Sequence, residues 1–539
     1  MRLLVLGLDG GDHALVRDLV AQGRMPTLAR IARDGTFGPL ASTIPAVTPT
    51  AWSTFLTGLN PGGHGIFNFA SNPNRGTHRV ESAASRSGTP FWHHLGAAGL
   101  RSAYVGIPFT YPPEPVAGVV VTGYGGPTDP AIVPDSAAAS IRAAHPTYVT
   151  AHHPMKERWW EDFGGYAGKL LQHVDETGDI CEQILELEPE LSTLCVNFMS
   201  SDHAGHLGYH RLEPSHPAHD PAEAGDELIQ VYARVDRTFG RLIDVAADLA
   251  DEEPTIIALS DHGMKPIHWT FHANQWLQEN GHLRYRARSL QGWKGGSLDV
   301  VSKVDQRLAR TTRHYGRALD LLPGLPRPRP DRSFADVDYG STRAYCFATG
   351  GQIFLGEASG ARDDPVYVER LVDELSSIPH PDTGDPVFDV RRNEELYRGA
   401  HARKGPDLVI LPRDERVHVE SSRRDWDTPL ELHDRLDPET FYGYSGHHGQ
   451  TGFLAAAGPG VAPSELPGGA EIAQLAPTIL ALHGLASEGF DAEPLAGILS
   501  GGQRQAVEAQ HSATPNADGT YTVEEEQEIL RRLRDLGYE

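Results

Sequence analysis

The chain opens with an unbroken apolar run, Leu3 to Leu8, that stops abruptly at Asp9-Gly10-Gly11. Such a run closed by a glycine turn fits a strand buried on both faces. The pattern recurs at Ser102 to Ile107, Gly118 to Thr122, Leu191 to Met199, Thr255 to Leu259, Leu408 to Leu411 and Gly452 to Ala457. Helical patterns separate several of these runs: His13 to Gln22, Pro26 to a stop at Gly35, and Glu223 to Leu249. Strands alternating with helices predict an α/β fold, a mostly parallel central sheet with helices on both faces. In such sheets ligands bind beyond the carboxyl ends of the strands, so functional residues should follow the apolar runs directly.

At 539 residues the chain exceeds the roughly 250–300 at which a single core stops growing. The strand–helix rhythm breaks between Lys265 and Ala400. The expected division is a core over 1–264, an inserted cap carrying substrate specificity over 265–400, and the rest of the core over 401–500. A loose segment and a C-terminal amphipathic helix follow over 501–539, the helix predicted from Val523 to Leu536 by its acidic start and basic end. The proline-rich, basic stretch Leu321 to Arg332 reads as irregular linker.

Charge and ligand chemistry narrow the function. A formal net charge of −25 opposes nucleic acid or anionic membrane as a main partner, because phosphate backbones are bound through basic patches. It is compatible with a small phosphorylated substrate if bound cations reverse the local field. Cys181, Cys195 and Cys346 are too scattered for a disulfide framework or a cysteine-based zinc site, whereas 27 histidines point to nitrogen and oxygen ligation. No apolar run approaches membrane-spanning length, and the first residues lack a signal peptide's pattern, so the expected location is the cytoplasm. Oligomeric state leaves no mark on the sequence.

The candidate chemistry sits where the fold rule places it. Asp9 follows the first strand; Thr48 lies in STIPAVTPTAW; Asp202 and His206 follow the run ending near Met199; Asp261 and His262 follow Leu259; His447 and His448 lie in YSGHHGQTG. Each alone has an ordinary explanation: an aspartate after a strand commonly caps a helix, and Thr48 would cap a helix from Pro49. Asp202 and His206, four residues apart, share one helix face and could reach one ion. Together these groups suit Zn²⁺, with Mn²⁺ or Fe as alternatives. Three carboxylates and three imidazoles exceed what one tetrahedral zinc takes. Two divalent ions about 4 Å apart would share them economically, an arrangement suited to in-line displacement at phosphorus.

In that order these residues resemble the alkaline phosphatase superfamily, specifically its type I phosphodiesterase/nucleotide pyrophosphatase branch. The matching pieces are LGLDG, TPTAWSTFLTGLNPGGHGI, DHAGH, SDHGM and SGHHGQTGFLAAAGPG, set within the spans 1–125, 190–265 and 405–490, which make up a little over half of the chain. The resemblance implies one metal site of Asp202, His206 and His448, the family spacing selecting His448 over His447. It implies a second site of Asp9, Asp261 and His262, with Thr48 touching the second ion as the nucleophile. A phospho-threonine intermediate would form and be hydrolysed by water activated at the other ion. Asn68, one residue out of the family's register, and His210, on the Asp202–His206 stripe, are candidate substrate contacts.

The expected activity is metal-dependent cleavage of phosphodiester or nucleotide pyrophosphate bonds. A phosphomonoesterase or phosphonate hydrolase with the same dinuclear site is the alternative. A phosphomutase, whose branch resembles a serine nucleophile, and a non-catalytic metal-binding protein rank below it. No P-loop lysine, Gly-x-Ser-x-Gly elbow or Cys-x-Pro-x-Arg sequence supports another hydrolytic chemistry.

Overall fold

The computed structural model describes residues 2–72, 80–154, 158–250, 252–286, 334–421, 428–436, 443–464, 466, 468–486, 489–500 and 521–535. The proline-rich stretch 321–332 and the loose segment 501–520 lie outside the described residues.

The apolar runs become strands. They are β1 (Leu3–Leu8), β2 (Thr36–Ala41), β3 (Arg101–Val105), β4 (Gly118–Val121), β5 (Ile132–Val133), β6 (Leu191–Phe198) and β7 (Thr255–Leu259). Beyond them come β8 (Gly263–Pro266), β9 (Trp269–His272), β10 (Ala344–Cys346), β11 (Gln352–Leu355), β12 (Phe388–Arg392) and β13 (Leu408–Pro412). The last are β14 (Val417–Glu420), β15 (Leu430–Leu432), β16 (Gly446–Gly449) and β17 (Thr451–Ala457). One sheet of eight strands runs in the order β2-β17-β7-β1-β6-β3-β4-β5. Its central strands, β7 through β4, are parallel, while β17 and β5 pair antiparallel. This is the α/β architecture with a mostly parallel sheet.

Alternation along β1 shows why the run had to be apolar throughout. Leu4, Leu6 and Leu8 enter the core on one face; Leu3 and Val5 enter the core on the other. The first face is covered by helix Glu227–Ala250 through Val231, Val235, Phe239 and Leu242. The second is covered by helices Thr48–Thr57 and Leu475–Leu482 through Ala51, Phe55, Leu475 and Ile479. Full burial of each large side chain contributes about 1.5–3 kcal/mol, which commits both helices to their faces.

Leu408 to Leu411, expected in the central sheet, lies elsewhere. It forms β13 in a separate four-stranded sheet, order β10-β11-β13-β12. Its neighbours β14 and β15 flank β9 in a three-stranded sheet. Short apolar runs look alike whichever sheet they join, and here Leu408 and Ile410 pack with Phe354, Leu371 and Phe388 in an apolar cluster of their own. The chain re-enters the central sheet only at β17. The C-terminal helix spans Val523–Asp535 within the described residues; just before it, Tyr521 stacks on Tyr111 with ring centroids 5.4 Å apart.

Candidate active site at the strand ends

Strand order places the acids. β1 lies between β7 and β6, with Gly7 opposite Leu259 and Leu8 opposite Phe198. Asp9, Asp261 and Asp202 therefore emerge side by side from adjacent carboxyl ends, and all are fully buried. Helix Ser200–Leu212 begins at once after β6, so Asp202 sits in its first turn and His206 one turn further on. His448 arrives from a distant part of the chain: β16 pairs antiparallel with β8, setting His448 opposite Met264.

Two acid–imidazole groups result, each with its ligand atoms within 4.8 Å of one another. In the first, Asp202 Oδ1 lies 3.5 Å from His206 Nε2 and 3.3 Å from His448 Nε2, and the two Nε2 atoms are 3.1 Å apart. In the second, His262 Nε2 lies 3.3 Å from Asp261 Oδ2 and 3.7 Å from Asp9 Oδ1. Every imidazole has its other nitrogen committed. Nδ1–H donates to Gly446 O from His206 (2.7 Å), to Ala46 O from His448 (2.9 Å) and to Gly263 O from His262 (3.0 Å). That tautomer leaves an Nε2 lone pair on each ring facing the carboxylates, the arrangement of a metal-ligating histidine with its orienting partner.

The electrostatics agree. Burial, reinforced by mutual repulsion of the acids, raises the Asp9 and Asp261 carboxyls well above the ordinary range. Burial also opposes ionisation of Asp202, but the facing imidazoles His206 and His448 outweigh it and hold that carboxyl low. Burial pushes His206 and His262 down to about 4, so both are neutral near pH 7. Asp9 Oδ1, Asp202 Oδ1 and Asp261 Oδ2 are buried and accept no hydrogen bond among the described residues. Lone pairs of two imidazoles at 3.1 Å and orphaned carboxylate oxygens are costly unless cations lie among them. The donor set and the orphaned atoms fit two divalent ions.

Thr48 is not a helix cap. Val47 occupies the cap position, Thr48 is the first residue of helix Thr48–Thr57, and its hydroxyl lies 3.3 Å from His262 Nε2. Nor does Asp9 cap; Asp12 takes that role, accepting from the amides of Ala14 and Leu15. His447 turns away from the ligand groups and donates from Nε2 to Glu415 O at 2.7 Å. His210 continues the Asp202–His206 stripe by one turn, yet the structure places it elsewhere. Its ring meets His216 at 6.3 Å and its charged neighbours are Arg211, His219 and Glu227, because the stripe runs away from the strand ends. Asn68 accepts from the Phe69 amide at 2.8 Å, and no hydrogen bond among the described residues joins it to Thr48 or to either acid group.

Two groups that the motifs do not single out orient Asp9. Trp52 Nε1 (3.0 Å) and Asn197 Nδ2 (2.8 Å) both donate to Asp9 Oδ2, turning Oδ1 toward His262. Gly7 makes room for them, since a Cβ there would lie 2.7 Å from Asn197 Oδ1 and 3.0 Å from the Trp52 ring. Trp52 sits inside the TPTAW motif and Asn197 just before the end of an apolar run; a polar residue in an otherwise apolar strand was the available signal. Beside the first group a cleft opens, lined by His206 and His448 and by Ile410, Leu411, Val417 and Val419 of the smaller sheets.

The model of the type I phosphodiesterase / nucleotide pyrophosphatase family matches residues 3–449. The chain belongs to that family. Its members are hydrolases of phosphoric ester and anhydride bonds, and that is the enzyme class of this chain. Phosphonoacetate hydrolase from Sinorhizobium meliloti 1021, solved with phosphonoformate, shares the fold with a TM-score of 0.54 at 16% identity, over 90% of this chain and 95% of that one. Murine ectonucleotide pyrophosphatase/phosphodiesterase 5, solved with AMP, aligns with a TM-score of 0.49 at 14% identity, over 89% and 94%. No curated protein matches the sequence. Among the described residues no helix is long and apolar enough to cross a membrane.

Proposed function

We propose that this family member holds two divalent metal ions and cleaves phosphodiester or nucleotide pyrophosphate bonds with Thr48 as nucleophile. The observation that carries the reading is the pair of buried acid–imidazole groups, with orphaned oxygens facing inward and the Thr48 hydroxyl at the edge of one. Asp202, His206 and His448 would hold one ion and Asp9, Asp261 and His262 the other; zinc matches this donor set best. When bound, the ions supply positive charge for the phosphoryl oxygens and favour the threonine alkoxide.

The remaining chemistry belongs to the chain. Thr48 Oγ1 stands at a helix N-terminus, whose amides favour an anion. It attacks phosphorus in line, the leaving oxygen departs with its organic group, and water then hydrolyses the phospho-threonine ester. Trp52 and Asn197 keep Asp9 turned toward its group throughout.

We further propose that the core comprises about 1–264 and the chain from β16 onward. The inserted cap then runs from about 265 to 432, further than the sequence suggested, because β13 to β15 belong to the smaller sheets. Turnover of bis(p-nitrophenyl) phosphate against p-nitrophenyl phosphate by the metal-loaded enzyme tests the bond type. A monoester preference of about tenfold, roughly 1.4 kcal/mol in transition-state terms, would reverse it.

A further inference from the structure

The cleft beside His206 and His448 is contiguous with the proposed phosphoryl site, and its other wall is built by the smaller sheets. Ile410, Leu411 and Pro412 come from β13, Val417 and Val419 from β14, and Thr349 and Gly350 from the turn between β10 and β11. Among the described residues lining it there is no Lys, Arg, Asp or Glu; its polar groups are imidazoles, Thr349 and Gln450.

Among the described residues the nearby cations are held elsewhere. Arg416 pairs with Asp414 at 2.7 Å, Arg413 Nε donates to Phe388 O, and Lys265 lies 2.9 Å from Asp12 and 3.3 Å from Glu415. A charged group entering this space would lose water without gaining a Lys, Arg, Asp or Glu partner among the described residues that line it. The wall is also close to the nucleophile's loop. Gly350 adopts φ +78°, and a Cβ on it would lie 2.7 Å from Pro45 Cβ, so the cap turn rests against the residues leading to Thr48.

We propose that this cleft receives an uncharged, apolar alkyl or aryl group carried on the substrate phosphorus, so that the preferred substrates are esters of apolar alcohols. The assignment rests on the phosphohydrolase reading for the phosphoryl end and on the cleft's own chemistry for the organic end. Thr349 Oγ1, buried and without a hydrogen-bond partner among the described residues, offers one hydroxyl to an ester or ether oxygen in that group.

The test is calorimetric binding of methyl-, butyl- and hexylphosphonate and of thymidine 5′-monophosphate to the zinc-loaded full chain. Each buried methylene is worth about fourfold in affinity, so hexylphosphonate should bind at least tenfold tighter than methylphosphonate. Thymidine 5′-monophosphate should bind more weakly than hexylphosphonate. Leu411→Arg should flatten the chain-length trend. Equal affinities across the alkyl series, or tighter binding of the nucleotide, would overturn the assignment. Turnover of p-nitrophenyl esters is scored separately: a retained trend in binding without turnover would sink the phosphohydrolase reading and leave the apolar cleft standing.

Discussion

His262 and His448 stack face to face with ring centroids 3.8 Å apart, although each belongs to a different acid–imidazole group. If the stack couples the groups, loosening one should disturb the other. Metal analysis of the protein as purified with zinc should give about two equivalents per chain. Asp261→Ala should lose one equivalent and weaken the second about tenfold, read by competition with a chromophoric chelator. Full retention of the second site in that variant would show the stack to be passive.

Chelation should also destabilise the fold, because the orphaned oxygens of Asp9, Asp202 and Asp261 would be left buried together. Ligand at a hundred times its Kd stabilises a protein by about 2.7 kcal/mol, so the melting temperature should fall by several degrees in EDTA and recover on adding zinc or manganese. An unchanged melting temperature would contradict the metal reading.

Thr48 contacts His262 but supplies no cap bond, so its hydroxyl can be removed at little structural cost. Thr48→Ala should lower kcat by about 10³-fold or more while keeping the metal content and the melting temperature within experimental error. Thr48→Ser should keep measurable activity. Full turnover by the alanine variant would exclude Thr48 as nucleophile.

Trp52→Phe preserves the packing of the ring against Phe55, 5.2 Å away, but deletes the donor to Asp9 Oδ2. Asn197 remains as the one side-chain donor there among the described residues, so metal affinity should drop about tenfold without collapse of the fold. Equilibrium dialysis of the variant against buffered zinc measures this directly.

What was legible in advance followed from period and position. An apolar run must be buried on both faces, so residues just after Leu8, Phe198 and Leu259 had to share one edge of a sheet. Strand order was not legible, yet it is strand order that sets Asp9 between Asp261 and Asp202. Leu408 to Leu411 carried the same local signal as the core strands and joined another sheet, since membership depends on packing against Phe354 and Phe388, far away in sequence. Helical spacing sets His210 on the Asp202–His206 face but does not fix how far along that face it lies, and its ring meets His216 at 6.3 Å. The orienting bonds from Trp52 and Asn197 depend on side chains meeting across elements, which spacing alone does not encode.

His173 supplies a pH test outside the ligand groups. Its Nε2–H donates to Val149 O and its Nδ1 accepts from Ser200 Oγ, both at 2.9 Å, beneath the first turn of the helix that carries Asp202. Burial pushes its pKa down to about 4 from an ordinary value near 6.5. Between those values the unfolded chain binds the proton and the folded one does not, so this contribution to stability is full above about pH 6.5. It is lost as pH falls toward 4, with a limiting slope of about 1.4 kcal/mol per pH unit for one proton. Denaturant unfolding of the chelated protein between pH 7 and 4.5 should therefore steepen with acidity, and His173→Gln should flatten that dependence by up to one proton. An identical slope in the variant would mean that His173 titrates normally in the fold.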